Sequence, residues 1–175
     1  MPTPARERGG VSGRRGDRPS KRKDIHERAL GLLAVRQRSR KELERRLVQA
    51  GFEPEAVATE LGRLEDVGLI DDAAFAAAVV ESRMGARGES RRAVGIKLQQ
   101  AGVDRDVAMD ALDRAPDSEQ DRADRLAETR VARVSGLDPA TGFARVSGFL
   151  MRRGYAPAVA RHAARRALGL EGIDA

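Results

Sequence analysis

The amino-acid sequence predicts an all-α protein made of three tandem three-helix repeats that stack into an array. The first observation is internal repetition: residues 39–51 and 90–102 share one pattern, and residues 143–154 form a looser third copy. Repetition of this kind is typical of stacked supersecondary units. The second observation is that apolar residues recur at helical spacing, while no segment alternates as a half-buried strand does. The third is that glycines and prolines stand where helices would end and begin.

The repeat pattern rests on a small set of apolar residues, glycines and acids. The apolar residues are expected on buried helix faces, the glycines at helix ends and the acids at a helix start. These positions are Leu43, Leu47, Gly51, Asp71, Asp72, Phe75, Val94, Leu98, Gly102, Val146, Leu150 and Gly154.

The first repeat is assigned to residues 24–70. Its helices are predicted at about 24–36, 39–50 and 54–67. Ser39 and Glu42 have the spacing of a capping box, in which each side chain binds the backbone amide of the other residue. Gly51 suits the left-handed position that ends a helix, and Pro54 suits a helix start, where its missing N–H is not needed.

The second repeat is assigned to residues 71–117. Asp71 and Asp72 are acidic residues suited to the N-terminus of its first helix. Ser90 is expected to cap a second helix over about 91–101, and a third helix is expected from near Asp104. Because adjacent side chains on a helix diverge, the aspartate pair is interpreted as a cap rather than a metal site.

The third repeat is assigned to residues 118–168. Its first helix is predicted over about 119–134, and Asp138 followed by proline predicts the start of the second. The last helix should bury mostly alanine. Residues 169–175 are expected to be a short frayed tail.

Composition and charge exclude several classes of protein. The chain has 175 residues, no cysteine and no apolar run long enough to cross a membrane, so a soluble cytoplasmic protein is expected. The formal net charge is +6. Residues 1–23 hold eight basic and two acidic residues, and they are predicted to be a disordered basic arm. This arm is either a solubilising extension or an electrostatic contact for an acidic partner.

No residue pattern in the sequence indicates an active site. The two histidines, His26 and His162, lie in different repeats and have no evident catalytic or metal-ligating partners. The glycines do not form a phosphate-binding loop after a strand. The sequence therefore predicts no catalytic residues, no cofactor and no metal, and the protein is interpreted as a non-enzyme.

Basic clusters are the functional signal that remains. Residues 139–170 carry six arginines and no acid, and cations on two consecutive helices repel each other unless a partner is present. Arg153 also stands where the earlier copies have alanines that were expected to be buried. The candidate partner-binding residues, for a protein filament or DNA, are Arg145, Arg152, Arg153, Arg161, Arg165, Arg166, Arg91, Arg92 and Lys97.

Several of these features resemble the RecX family, bacterial modulators of the RecA recombinase. The resemblance covers about residues 24–168 and is carried by a few runs of residues. They are Ala29-Leu-Gly-Leu-Leu-Ala-Val-Arg36, Ser39-x-x-Glu-Leu43, Gly68-Leu-Ile-Asp-Asp72 with Phe75-Ala76, Leu98 with Gly102, and Arg152-Arg-Gly-Tyr155.

The resemblance implies an elongated, curved all-α protein that binds in the helical groove of the RecA–DNA filament. It further implies inhibition of RecA ATP hydrolysis and strand exchange, and thereby a role in recombination, DNA repair and the SOS response. The partner would be the RecA nucleoprotein filament, possibly with direct DNA contact, and the protein is expected to be a monomer.

Two other functions remain open from the residues alone. Three short helices per repeat also suit a DNA-binding protein of helix-turn-helix type, with Arg91, Arg92 or the Arg152 group entering a groove. The third interpretation is a helical-repeat scaffold for another acidic partner.

Overall fold

The computed structural model describes residues 24–171, which contain nine α-helices, one π-helix and no strand. The helices are α1 (Ile25–Val35), α2 (Arg40–Gln49), α3 (Pro54–Asp66), α4 (Asp72–Val80), the π-helix (Glu81–Ala86), α5 (Arg91–Ala101), α6 (Arg105–Asp113), α7 (Glu119–Val134), α8 (Pro139–Arg152) and α9 (Pro157–Ala167). The expected all-α array of three three-helix units is confirmed. The predictions for residues 1–23 and for 172–175 lie outside the described residues.

Each unit packs around a hydrophobic core of its own. Helices α1 to α3 share one buried cluster, α4 to α6 a second, and α7 to α9 a third. The leucines and valines of the repeat pattern lie at the centres of these cores. They are Leu43, Leu47, Val94, Leu98, Val146 and Leu150, each no more than 1% exposed. The limits 24–70, 71–117 and 118–168 stay predictions.

Serine caps begin the second helix in the first two units. The hydroxyl of Ser39 accepts from the amide of Glu42 at 3.1 Å, and that of Ser90 accepts from the amide of Ala93 at 3.1 Å. The other half of the expected capping box does not form. The Glu42 carboxylate instead binds the guanidinium groups of Arg36, Arg38 and Arg46, whose charge attracts it more strongly than a neutral amide.

The first helix of the second unit, α4, does not end at Val80 but continues as a π-helix over Glu81–Ala86. It passes without a break from α4 into the π-helix, where Met84 is buried in the core of the unit. Single-turn π-helices are rare and have no residue signature, so the sequence did not predict this one. They occur frequently at functional sites.

The second helices of successive units meet end to end. The hydroxyl of Ser39, which caps α2, also donates to the carbonyl of Ala101 at the last turn of α5. Gly102 follows in a left-handed conformation with φ of 79°. A methyl group there would lie 2.5 Å from Cβ of Lys41, so only glycine fits this junction.

A second junction of the same kind joins α5 to α8. The amide of Ser90 donates to the carbonyl of Arg153 at 3.0 Å, and a methyl group on Gly154 would lie 2.6 Å from the Ser90 hydroxyl. The buried Tyr155 adds a hydrogen bond from its hydroxyl to the carbonyl of Gly88 at 3.2 Å. The C-terminal end of each later helix therefore meets the N-terminal end of the earlier one, where opposite partial charges attract.

Asp71 and Asp72 cap two different helices. Asp71 accepts from the amide of Ala74 at 2.9 Å and so begins α4, as expected. Asp72 accepts from the amide of Arg40 at 2.8 Å and so caps α2 in the preceding unit. Burial raises the pKa of Asp72, although the bond from Arg40 acts in the opposite direction. Asp72 therefore joins the first two units while Asp71 caps its own helix, and both roles support the structural interpretation of the pair.

Candidate partner-binding surface

Exposed arginines without acidic partners cover part of α8 and α9. Arg145 and Arg152 are seven residues apart and share a face of α8. Arg161 and Arg165 are four residues apart and share a face of α9. All four side chains are exposed. Among residues 24–171, no carboxylate oxygen lies within 4.0 Å of their guanidinium groups. Each of these two pairs therefore carries positive charge that no carboxylate of the described chain offsets.

Two of the six arginines in this region are placed differently from expectation. Arg166 binds the buried carboxylate of Asp124 on α7 at 3.0 Å, so it is neutralised. Arg153 is half-buried and donates to the carbonyl of Arg87, so it belongs to the junction with the second unit. Of the two equivalent alanines, Ala50 is exposed, contrary to expectation, and Ala101 is partly buried against the core of the second unit.

The basic residues of the second unit are mostly paired. Arg91 binds Asp113 at 2.5 Å, and Lys97 lies 3.0 Å from the Glu89 carboxylate. Burial acts to raise the pKa of Glu89, but hydrogen bonds from Lys97 and Arg83 outweigh it and hold that pKa below its usual range. Arg92 is the exposed member of the set, and no carboxylate of the described chain pairs with it.

A groove between α7 and α8 adds two arginines that the sequence analysis did not select. Arg130 and Arg133 of α7 face Arg145 and Arg152 of α8 across this groove, whose volume is about 510 Å³, with Phe149 in its wall. The guanidinium carbon of Arg130 lies 3.8 Å from the centre of the Phe149 ring. We call these five residues the arginine groove.

The acids of α7 concealed its two arginines in the sequence. Residues 119–134 contain four acidic and four basic residues, so the segment looks balanced and does not stand out as a basic cluster. In the structure these acids lie apart from the arginine groove, and Asp121 and Asp124 bind Ser118 and Arg166. The three-residue spacing of Arg130 and Arg133 was the signal that could have indicated a shared face.

The histidines show no arrangement suited to catalysis. The Nδ1 atom of His26 lies 2.6 Å from the carboxylate of Glu60, which links α1 to α3, and His162 is exposed on α9. In the described part of the chain, no group of three or more His, Asp or Glu side chains could hold a metal ion. No helix among residues 24–171 is both long and apolar enough to cross a membrane.

The protein is a helical-repeat array, because it consists of three small helical cores joined at two repeated junctions. Such arrays present long surfaces to a macromolecular partner. Comparison with protein families identifies the family to which this array belongs. Family models described as the first, second and third three-helix domains of RecX match residues 26–64, 71–112 and 117–164. The chain belongs to the RecX family.

Relatives at 36–39% identity support the same assignment. A protein named regulatory protein RecX from Mycobacterium sp. (strain KMS) is 39% identical, over 81% of this chain and 80% of its own. A protein of the same name from Streptomyces coelicolor (strain ATCC BAA-471 / A3(2) / M145) is 36% identical, over 99% of this chain and 95% of its own. These relatives are named as regulators, which agrees with a non-enzymatic role.

Solved structures show the same fold. The crystal structure of RecX from Lactobacillus salivarius superimposes with a TM-score of 0.70 and covers 83% of this chain and 95% of its own, at 23% identity. A second structure, titled crystal structure of regulatory protein RecX, gives a TM-score of 0.65 at 22% identity and covers 84% of this chain and 70% of its own. The likeness at this identity concerns the fold.

Proposed function

We propose that this protein regulates the RecA recombinase by binding the RecA–DNA filament and inhibiting ATP hydrolysis and strand exchange. Membership of the RecX family supports RecA as the partner. The observation that carries the mode of binding is a set of exposed arginines without acidic partners in the described chain, Arg145 and Arg152 on α8 and Arg161 and Arg165 on α9. Such unpaired positive charges attract an anionic polymer.

The mechanism requires no chemistry by this chain. An array whose units are joined by tight junctions can contact several subunits of a repeating polymer at once. If it binds one state of the filament more tightly than another, it shifts the population towards that state. A filament held in a non-cycling state hydrolyses ATP slowly, and an occupied groove excludes a second DNA. We further propose that the protein acts as a monomer in the cytoplasm, where the filament forms.

The test is the rate of DNA-dependent ATP hydrolysis by RecA, together with co-sedimentation on RecA filaments. The variant replaces Arg145, Arg152, Arg161 and Arg165 with glutamate. We expect the wild-type protein to slow hydrolysis at substoichiometric amounts and the variant to lose this effect while keeping its helical circular dichroism.

A matched control carries the same change in net charge at other exposed sites. It replaces Arg28, Arg63, Arg105 and Arg114 with glutamate, on α1, α3, α6 and the end of α6. This control should inhibit RecA as the wild type does. Full inhibition by the first variant would move the contact to Arg92 or to residues 1–23, and no inhibition by folded wild-type protein in excess would overturn the proposal.

Binding to DNA alone separates this function from the helix-turn-helix alternative. A DNA-binding protein would bind duplex DNA tightly without RecA, with an affinity that falls steeply as salt rises. A filament regulator should bind the filament more tightly than free DNA. A scaffold for another acidic partner would bind neither.

A further inference from the structure

We infer that the arginine groove between α7 and α8 is a binding site for the phosphodiester backbone of nucleic acid. The site rests on the proposed function only for its biological setting, and its test contains no RecA. It comprises Arg130 and Arg133 on one helix and Arg145 and Arg152 on the other, with Phe149 between them.

The first argument is charge without compensation. Within residues 24–171, no carboxylate pairs with any of these four arginines, although the acids of α7 are close in sequence. The Nε atom of Arg130 is buried and has no hydrogen-bond partner in the described chain. A buried polar group without a partner is costly, so a ligand that accepts a hydrogen bond here would be favourable.

The second argument is that the cations are crowded. Burial lowers the pKa of Arg130, and the nearby charges of Arg133 and Arg153 lower it further. Because arginine keeps its proton in proteins, these guanidinium groups stay charged and repel one another in the folded protein. An anion in the groove would relieve it.

The third argument is that the groove is pre-arranged. The Phe149 ring holds the guanidinium of Arg130 at 3.8 Å from its centre, and that of Arg153 lies 5.2 Å away. Guanidinium groups stacked on a ring keep their donors free at the edge, where they match the fork of a phosphate. Less side-chain freedom is then lost when a phosphate binds.

The fourth argument is size. Seven residues separate Arg145 from Arg152, so they stand about 10 Å apart along the helix. Phosphates in a stacked strand follow one another every 3.4 Å or so along the axis, so about three could lie along the groove. An acidic protein surface would have to gather several carboxylates that repel one another, whereas a nucleic-acid strand carries such a row in its covalent structure.

The test measures binding of a fluorescent oligonucleotide of about 16 nucleotides by anisotropy, between about 50 and 200 mM salt. The variant is the full-length protein with Arg133→Gln and Arg145→Gln, two exposed groove residues. For a single strand, each lost phosphate contact makes the slope of log K against log salt shallower by about 0.7, so we expect a change of about 1.4.

Arg28→Gln with Arg105→Gln removes the same charge from α1 and α6, which do not line the groove, and should leave the slope nearly unchanged. A third variant, Phe149→Leu, keeps every charge but releases Arg130, and it should weaken binding severalfold. Equal changes of slope in the two double variants would mean general attraction and would overturn the site. So would an unchanged slope in the groove variant.

A groove for acidic side chains of a protein gives a different result. In that case Arg133→Gln with Arg145→Gln would leave DNA binding intact but would weaken inhibition of RecA, and the nucleic-acid assignment would be wrong. Because the binding assay contains no RecA, its failure leaves the proposed regulation of RecA standing. Failure of RecA inhibition likewise leaves the binding result intact.

Discussion

At the scale of single residues, position decides which charges of this protein are structural. Glu42 has a side chain only 14% exposed, and it binds Arg36, Arg38 and Arg46. Burial acts to raise the pKa of Glu42, but the hydrogen bonds from these arginines prevail, so that its pKa lies below the ordinary value. The arginines of α8 have no such partner. The same residue type therefore stabilises the first unit and is left available in the third.

Replacing Glu42 with glutamine should destabilise the protein by about 2–3 kcal/mol near neutral pH, because Arg38 is 7% exposed and would lose its charged partner. The folded-state pKa of Glu42 is lowered, so its contribution is complete above the ordinary value and is lost as pH falls through the folded-state value. Urea unfolding at neutral and acidic pH measures this effect. The stability difference between wild type and variant should shrink in acid.

Glu44→Gln provides the comparison for this prediction. Glu44 pairs with Lys41 at 2.8 Å, but both side chains are at least a third exposed. Its replacement should cost about 0.5 kcal/mol or less at either pH. Equal losses for the two variants would contradict the structural importance assigned to the Glu42 cluster.

At the scale of helices, the two junctions fix the order of α8, α5 and α2. Gly102 and Gly154 lie directly against the helix that follows in this order, and Ser39 or Ser90 lies at each contact. Gly51 has the same conformation, with φ of 90°, but no atom would lie within 4 Å of a methyl group there. Three equivalent glycines are therefore needed for two different reasons.

Gly154→Ala and Gly51→Ala separate these reasons. Both place alanine in the left-handed region, at φ of 92° and 90°, which costs about 1–2 kcal/mol in each case. Only at Gly154 does the new methyl group meet Ser90 and Ala93, at 2.6 and 2.7 Å. We expect a larger loss of stability for Gly154→Ala in urea unfolding, with faster amide exchange at Ser90. Equal losses would mean that the junction adapts without cost.

Local patterns predicted most of the helices, because a cap and an apolar stripe lie within one helix. Ser90 and Gly102 enclose α5, whose observed span equals the expected one. Contacts between helices could not be predicted from local patterns, because they join residues far apart in the sequence. The bond from Arg40 to Asp72 joins residues 32 apart, and Arg166 meets Asp124 across 42 residues. The arginine groove likewise exists only because α7 packs against α8. The sequence analysis therefore selected Arg145 and Arg152 of α8 but not Arg130 and Arg133 of α7.

At the scale of the whole molecule, three separate cores and two junctions divide stability from function. Stability in such an array is roughly the sum of each unit and its neighbour contacts. All three cores are built from residues between Ile25 and Leu168. Residues 1–23 carry eight basic and two acidic residues, which accounts for the whole formal net charge of +6. The rest of the chain has equal numbers of basic and acidic residues. The net charge is thus separate in sequence from the cores, whereas the arginines of α8 and α9 stand on helices that build the third core.

Deleting residues 1–23 should leave helical circular dichroism and the urea midpoint nearly unchanged, because no core residue is removed. Association with RecA filaments or DNA should weaken mainly at low salt, where long-range attraction is least screened. Sedimentation at low and high salt measures this difference. A large loss of helical signal in the shortened protein would contradict the expectation of disorder in this segment.

The end-to-end junctions also bear on how long such a chain can grow. Both ends of α5 take part in a junction, Ser90 at one end and Gly102 at the other, whereas α2 takes part only through Ser39. In the third unit the position equivalent to Ser90 is Gly142, and α8 begins a turn earlier, at a cap formed by Asp138, whose carboxylate cannot donate to a helix-end carbonyl. A duplicated middle unit would find a matching surface on either side, whereas a unit added before α8 would meet repulsion. The cap at the start of α8 thus ends the series of junctions, and repetition of the middle unit is the change by which evolution or design could lengthen the array.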